Sequence, residues 1–279
     1  MILSGKAKLA GVLGWPVGHS RSPRLHGYWL DKLGIDGAYV PLAVQPEDFA
    51  AVFRALPKMG FVGANVTVPH KEEALRLVGD NVEPLARRIG AVNTLVVEPD
   101  GAIRGLNTDA FGFMQNLLET HPASLGYLNR PAVVLGAGGA ARAVVAALVD
   151  AGVPQVRLVN RNPQRAEKLA ADIGGPITVQ SWDRLDLEGG GLLVNTTSLG
   201  MTGQPPLDID LAALPLDAIV NDIVYAPLMT DLLVRAQGRG NPVVDGLGML
   251  LWQAVRGFTL WFGQQPEVTA EMRDFVLSS

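Results

Sequence analysis

A lysine at the head of a helix is the first residue that suggests chemistry. Asn65-Val66-Thr67-Val68-Pro69-His70-Lys71 reads as a strand whose alternation puts Asn65 and Thr67 on one face and Val66 and Val68 on the other. Proline ends the strand, and Lys71 opens a helix running to about Leu77. The macrodipole favours anions at that end, so a cation there is out of the ordinary. Asn65 and Thr67 either face solvent, as polar strand residues usually do, or face a ligand. Asp109, in Asn107-Thr108-Asp109, either favours a helix start through its charge or partners a catalytic base. Ser20 and Ser22 stand just ahead of a helix read over Arg24 to Leu33. One of them is its N-cap, or both hydroxyls hold a small carboxylate with the help of the helix end. Gln253, in the apolar helix Met249 to Phe262, is a satisfied core amide or faces a ligand cleft.

A second group of residues points to a dinucleotide. Val133-Val134-Leu135 runs into Gly136-Ala137-Gly138-Gly139-Ala140-Ala141-Arg142-Ala143, a strand, a glycine turn and a helix N-terminus. Gly136 permits the tight turn, and Gly138 lets the backbone approach a pyrophosphate. Ala141 is small enough for helix and strand to pack, and the helix end attracts the anion. The next strand, Val156 to Val159, ends in Asn160-Arg161-Asn162, with Arg165 further on. A fold selecting NAD usually places an acid there, roughly 20 residues after the glycines; an arginine can grip a 2′-phosphate, so the choice points to NADP. The alternative is that Arg161 is a surface arginine. Leu192 to Asn195 is a further strand, and it runs into Thr196-Thr197-Ser198, a polar turn suited to lining the cofactor.

The elements that must position these residues alternate along the chain. Short strands at Leu9–Gly14, Ala38–Leu42, Phe61–Val68 and near Thr94–Val97 precede an Asp100-Gly101 hairpin, and a helix is read over Gln45 to Leu56. From Arg130 to about Val244, strands and helices alternate in the βαβ manner, which predicts a parallel sheet. At 279 residues and 48% hydrophobic content, two domains are the better expectation. A formal charge of −4 with no basic block argues against nucleic acid and anionic membrane as partners. The absence of cysteine excludes disulfides, thiolate metal sites and cysteine nucleophiles. His19, His26, His70 and His121 do not fall at metal-ligand spacing, so no metal is expected. The N-terminus lacks a signal-peptide pattern, no apolar run reaches the length of about 18 residues that a membrane helix needs, and a cytoplasmic enzyme is the default.

Taken together, the residues resemble the shikimate dehydrogenase family along nearly the whole chain. The matching stretches are Gly14-Trp15-Pro16 through His19-Ser20-Arg21-Ser22-Pro23, Asn65 to Lys71, Gly90-Ala91-Val92-Asn93-Thr94 and Asn107-Thr108-Asp109. They continue with Gly136 to Ala141, Asn160-Arg161, Asn195-Thr196-Thr197 and Gly246 to Gln253. The Asn-Val-Thr-Val-Pro-His-Lys string is far more specific than the glycine motif.

The resemblance implies an α/β protein with an N-terminal substrate domain (1–107 and 245–279), a Rossmann-type NADP-binding domain (108–244), and a last helix returning to the first domain. It implies reversible NADPH-dependent reduction of 3-dehydroshikimate to shikimate, a step toward chorismate and the aromatic amino acids. Shikimate would lie between the domains, its carboxylate on Ser20 and Ser22 and its hydroxyls near Asn65, Thr67, Lys71, Asn93, Asp109 and Gln253. Lys71 and Asp109 resemble the family's catalytic pair. The implied cofactor contacts are Gly136, Gly138, Gly139, Ala140, Ala141, Asn160, Arg161, Arg165, Thr196, Thr197, Ile223, Tyr225, Gly246 and Met249. Beyond the small-molecule substrate, the one partner in view is a second copy in a homodimer. Trp15, Gly27 and Asn162 depart from the family's common asparagine, asparagine and threonine.

Two other readings stay open. One is a relative using quinate or NAD; the other is a non-catalytic NADP-binding sensor, which would have no need of Lys71 with Asp109.

Overall fold

The computed structural model describes residues 2–122 and 124–278. The chain forms two compact units, Met1–Thr108 with Leu250–Ser279, and Asp109–Met249. The second crossing lies inside a helix, Leu247–Phe262, rather than ahead of it at residue 245, because that helix runs on without a break.

The first unit contains β1 (Lys8–Gly14), α1 (Ser22–Lys32), β2 (Gly37–Ala43), α2 (Phe49–Ala55), β3 (Phe61–Val66), α3 (Lys71–Val78), α4 (Pro84–Ile89), β4 (Thr94–Val97) and β5 (Ile103–Leu106). Its sheet runs β2-β1-β3-β4-β5. β1 is parallel to β2 and β3, while β4 is antiparallel to both β3 and β5. Helices connect β1, β2, β3 and β4 in turn, whereas the Asp100-Gly101 turn, with Gly101 at φ +85°, folds β5 directly back on β4. Leu13, Phe49, Leu56, Ala64 and Leu95 close the core with no exposed surface. Each large apolar side chain in it contributes about 1.5–3 kcal/mol.

The second unit contains α5 (Asp109–Thr120), α6 (Ser124–Tyr127), β6 (Ala132–Leu135), α7 (Gly139–Asp150), β7 (Val156–Val159), α8 (Pro163–Ile173), β8 (Ile177–Gln180), β9 (Leu192–Asn195), β10 (Ile219–Asp222), α9 (Asp231–Arg239) and β11 (Val243–Val244). All pairs in the order β11-β10-β9-β6-β7-β8 are parallel. Every residue of β6, β9 and β10 is buried, as expected of central strands covered on both faces. This is the doubly wound Rossmann order, whose direction reverses between β6 and β9. A crevice for ligands is expected just beyond the carboxyl ends of those two strands, and Gly136 and Thr196 are the residues that follow them.

From the second unit α10 (Leu247–Phe262) carries the chain back to the first, where α11 (Ala270–Leu277) follows. The Trp261 indole N–H donates to the Leu95 carbonyl at 2.8 Å, and a side chain at Gly63 would collide with that ring. The glycine in β3 is therefore what lets α10 seat on the sheet.

Local differences from the sequence reading have simple causes. β3 ends at Val66 rather than Val68, although the Thr67 amide still donates to Leu13 O at 2.9 Å. The segment 46–55 is a 3₁₀ turn followed by α2, not one helix. α1 starts at Ser22 with Arg21 at the N-cap position, so neither serine is its N-cap. β8 and α11 have no counterpart in the sequence reading. α11 is held to α1 through the Arg24 Nε donating to Phe275 O at 2.7 Å, a contact between distant residues. Among the described residues no helix is long and apolar enough to cross a membrane.

Candidate functional site

In the first unit the strand ends bring buried amides and hydroxyls into one hydrogen-bonded web. The Tyr39 hydroxyl, from β2, donates to Asn65 Oδ1 at 2.6 Å. Burial holds that phenol's pKa well above its usual value, so it remains a donor. Asn65 Nδ2 in turn donates to the Asn93 carbonyl and to Thr94 Oγ1, each at 3.2 Å. Asn93 Oδ1 accepts from Thr94 Oγ1 and from the Thr108 amide, both at 2.9 Å, and its Nδ2 donates to Thr108 Oγ1 at 3.1 Å. Thr108 Oγ1 reaches Gln253 Oε1 on α10 at 3.3 Å, and Gln253 Nε2 donates to Leu250 O at 3.0 Å. Asn65, Asn93 and Gln253 are thus buried and oriented before any ligand arrives. Thr94, Thr108 and Tyr39, which the sequence reading did not single out, do the orienting.

Lys71 is the first residue of α3 and is partly exposed. Its carbonyl accepts from the Val92 amide at 3.0 Å, which ties the lysine backbone to the residue preceding Asn93. The turn ahead of it is fixed by His70, whose Nε2 lies 2.8 Å from Val44 O and whose ring stacks on Phe49 with centroids 4.4 Å apart. Thr67 stands in that turn, partly exposed. Ser20 Oγ accepts from the Ser22 amide at 3.3 Å, and Ser22 is buried while Ser20 is partly open. Trp15 is 43% exposed, and a side chain at Gly27 would meet no atom within 4 Å.

Beneath Asn65 lies a histidine that no local sequence signal marks. His26 is fully buried, stacked on Tyr39 with centroids 4.0 Å apart and near Trp29, Phe258 and Trp261. Burial, opposed by the Asn65 side chain, pulls its pKa down from 6.5 to about 3, so the ring is neutral at ordinary pH.

The second unit presents a different kind of surface. Gly136 has φ +106°, and a Cβ there would lie 2.7 Å from Thr196 Oγ1. Around Gly138, the N-cap residue of α7, a Cβ would meet nothing within 4 Å, while Ala141 one turn on is wholly buried. A bare backbone, an open approach and the unpaired first-turn amides of Gly139, Ala140 and Ala141 suit the pyrophosphate of a dinucleotide. Thr196 Oγ1 donates to Leu135 O at 2.6 Å, pinning the β9 turn against the glycine turn. After β7, Asn160 Nδ2 donates to Asn162 O at 2.8 Å, and Asn162 Oδ1 accepts from the Arg165 amide at 3.1 Å as the cap of α8. Asn162 is therefore occupied as the cap of α8. Arg161 and Arg165 are exposed beside it. Ile223 and Tyr225 follow β10, Gly246 packs on the backbone of Ile223 and Val224, and Met249 is buried in α10. Asp109 is buried at the start of α5.

Comparison with known proteins matches these two surfaces to separate family models. Residues 12–95 match the shikimate dehydrogenase substrate binding domain, 123–189 the shikimate / quinate 5-dehydrogenase model, and 246–274 the shikimate 5'-dehydrogenase C-terminal domain. A curated shikimate dehydrogenase (NADP(+)) from Paramagnetospirillum magneticum is 67% identical over 99% of this chain and 100% of its own. The shikimate 5-dehydrogenase of Thermus thermophilus, solved with NADP(H) and shikimate, is 37% identical with a TM-score of 0.87 over 97% of this chain and 99% of that one. The quinate dehydrogenase of Corynebacterium glutamicum, solved with NAD, is 31% identical with a TM-score of 0.90 over 98% and 99%. With such identity along its full length, the chain belongs to the shikimate dehydrogenase family.

Proposed function

We propose that the protein catalyses the reversible, NADPH-dependent reduction of 3-dehydroshikimate to shikimate, within aromatic amino acid biosynthesis. The observation that carries this reading is the buried web holding Asn65, Asn93 and Gln253 ready for a polyhydroxylated ring. The 67% identity to a curated NADP(+) enzyme of that activity supports it. Ser20 and Ser22, one partly open and one buried at the head of α1, hold the carboxylate, and Thr67 contacts a ring hydroxyl.

NADPH, when bound, supplies the hydride. On the chain, Gly136, Gly138 and the first-turn amides of α7 hold its pyrophosphate, and Arg161 and Arg165 meet the 2′-phosphate. The remaining chemistry is proton transfer: carbonyl reduction leaves an alkoxide that needs a proton, and the reverse reaction needs a base to remove one. Lys71 gives and takes that proton, while Asp109 orients the lysine and shares the hydroxyl contact. The Val92 amide donating to the Lys71 carbonyl ties the lysine to the residue before Asn93, and so to the web.

Arg161 argues for NADP over NAD, and the quinate dehydrogenase relative makes quinate with NAD the alternative to exclude. A spectrophotometric assay crossing shikimate and quinate with NADP and NAD tests the reading. Shikimate with NADP is expected to give the highest kcat/KM, and a higher value for quinate with NAD would overturn it. Tight NADP binding with no reduction by either substrate would instead support the sensor.

A further inference from the structure

One buried carboxylate, Asp222, has no part in the chemistry above. It is the last residue of β10, has no exposed surface, and sits in a strand whose other residues are Ile219, Val220 and Asn221. An acid in such a place requires donors. Oδ1 accepts from Asn195 Nδ2 and from the Val224 amide, both at 3.0 Å, and Oδ2 accepts from Thr230 Oγ1 at 2.7 Å. These donors come from three segments: the end of β9, the loop after β10, and the N-cap of α9. The pattern continues outward from Asn195. Its Oδ1 accepts from the Thr197 amide at 3.0 Å and the Thr197 hydroxyl at 2.7 Å, and its carbonyl accepts from the Ile223 amide at 3.1 Å. Gly246 abuts the Ile223 and Val224 carbonyls so closely that no side chain would fit. The loops carrying Thr196-Thr197 and Ile223 to Tyr225 therefore share one buried anchor, and Gly246 packs against the second of them.

We propose that Asp222 is a positioning residue for NADPH binding, fixing through Asn195, Val224 and Thr230 the strand-end loops that line the cofactor. This rests on the NADP reading above. Burial pushes the carboxyl pKa up, and the same three donors oppose it. Asparagine replaces it only in part: with its oxygen kept toward Asn195 and Val224, its NH₂ would meet Thr230 Oγ1, which would lose its own acceptor and have to accept from both the amide and Leu233. Thr230 has a second task, its Oγ1 accepting from the Leu233 amide at 3.4 Å, and serine can do both where valine can do neither.

The test is equilibrium titration of the intact enzyme with NADPH, followed by cofactor fluorescence, alongside a separate titration with shikimate and a thermal melt. Asp222→Asn is expected to raise the NADPH Kd at least tenfold, and Thr230→Val about threefold to tenfold, with Thr230→Ser close to wild type and shikimate affinity unchanged in all three. In steady state, the KM for NADPH should rise more than kcat falls. Lower melting temperatures with wild-type NADPH affinity would reduce Asp222 to a structural role and overturn the inference alone. If Asp222→Asn does not fold, the contrast between Thr230→Val and Thr230→Ser decides by the same criterion. A wild-type enzyme that fails to bind NADPH would overturn both this inference and the cofactor reading.

Discussion

The two units prepare for their ligands by opposite means. In the first, the proposed ligand contacts are side chains, and three of them are aimed by others: Tyr39 aims Asn65, Thr94 and Thr108 aim Asn93, and Thr108 touches Gln253. In the second, the surface proposed for the pyrophosphate at Gly136 and Gly138 is bare backbone, and the Thr196 side chain holds the strand end next to it in place. Side chains can discriminate among the hydroxyls and carboxylate of a ring by donor and acceptor type. A backbone cradle recognises a feature common to all dinucleotides and leaves the choice among them to a few residues such as Arg161. Substrate identity should therefore depend on many residues in the first unit, while cofactor binding should depend on shape in the second.

The largest effect that can break this contrast is at Lys71. Positioned proton transfer contributes about 10²–10⁴-fold, so Lys71→Ala should lower kcat by that order while both ligands still bind, as read by steady-state rates beside equilibrium titration. Full turnover in the variant would remove Lys71 from the chemistry.

The next effect belongs to the aromatic floor under Asn65. The folded pKa of His26 is depressed from 6.5 to about 3, so between those pH values the unfolded chain binds a proton that the folded chain does not. Its contribution to stability is full above pH 6.5 and is lost as pH falls toward 3. At pH 5 the loss attributable to this ring is about 2 kcal/mol relative to neutral pH. Urea unfolding at pH 7 and pH 5 should show that difference in the wild type and a smaller one in His26→Phe; equal slopes in the two proteins would contradict it.

On the cofactor side, Gly136→Ala places a Cβ against Thr196 at positive φ. Strain of about 1–3 kcal/mol is expected there, hence a roughly fivefold or greater weakening of NADPH with shikimate binding intact. Equal losses for both ligands would mean that the two surfaces are not independent.

The smallest predicted change sharpens the side-chain half of the contrast. Tyr39→Phe removes one neutral hydrogen bond to Asn65, worth about 1 kcal/mol, so the KM for shikimate should rise about fivefold with little change for NADPH. An unchanged KM would show that Asn65 is oriented well enough by Asn93 and Thr94.

Much of this molecule is legible before folding. The unbroken apolar runs at Val133–Leu135 and Leu192–Val194 announce central parallel strands, the glycines at 136 and 138 announce a tight turn into a helix, and the string from Asn65 to Lys71 carries its own specificity. These signals are local, with periodicity, turn chemistry and residue type lying within a few positions of one another. The web that orients Asn65 was not legible, because Tyr39, Thr94, Thr108 and Gln253 approach one another only when β2, β4 and α10 are assembled on the sheet. His26 and Asp222 illustrate the same limit from opposite sides. By type both are ordinary polar residues, but burial makes one a neutral aromatic platform and the other an anchor for three segments. The sequence by itself determined which residues can meet a ring, a phosphate or a proton. The tertiary structure decided which of them are held still, because desolvation and long-range hydrogen bonds exist only once distant segments have closed around them.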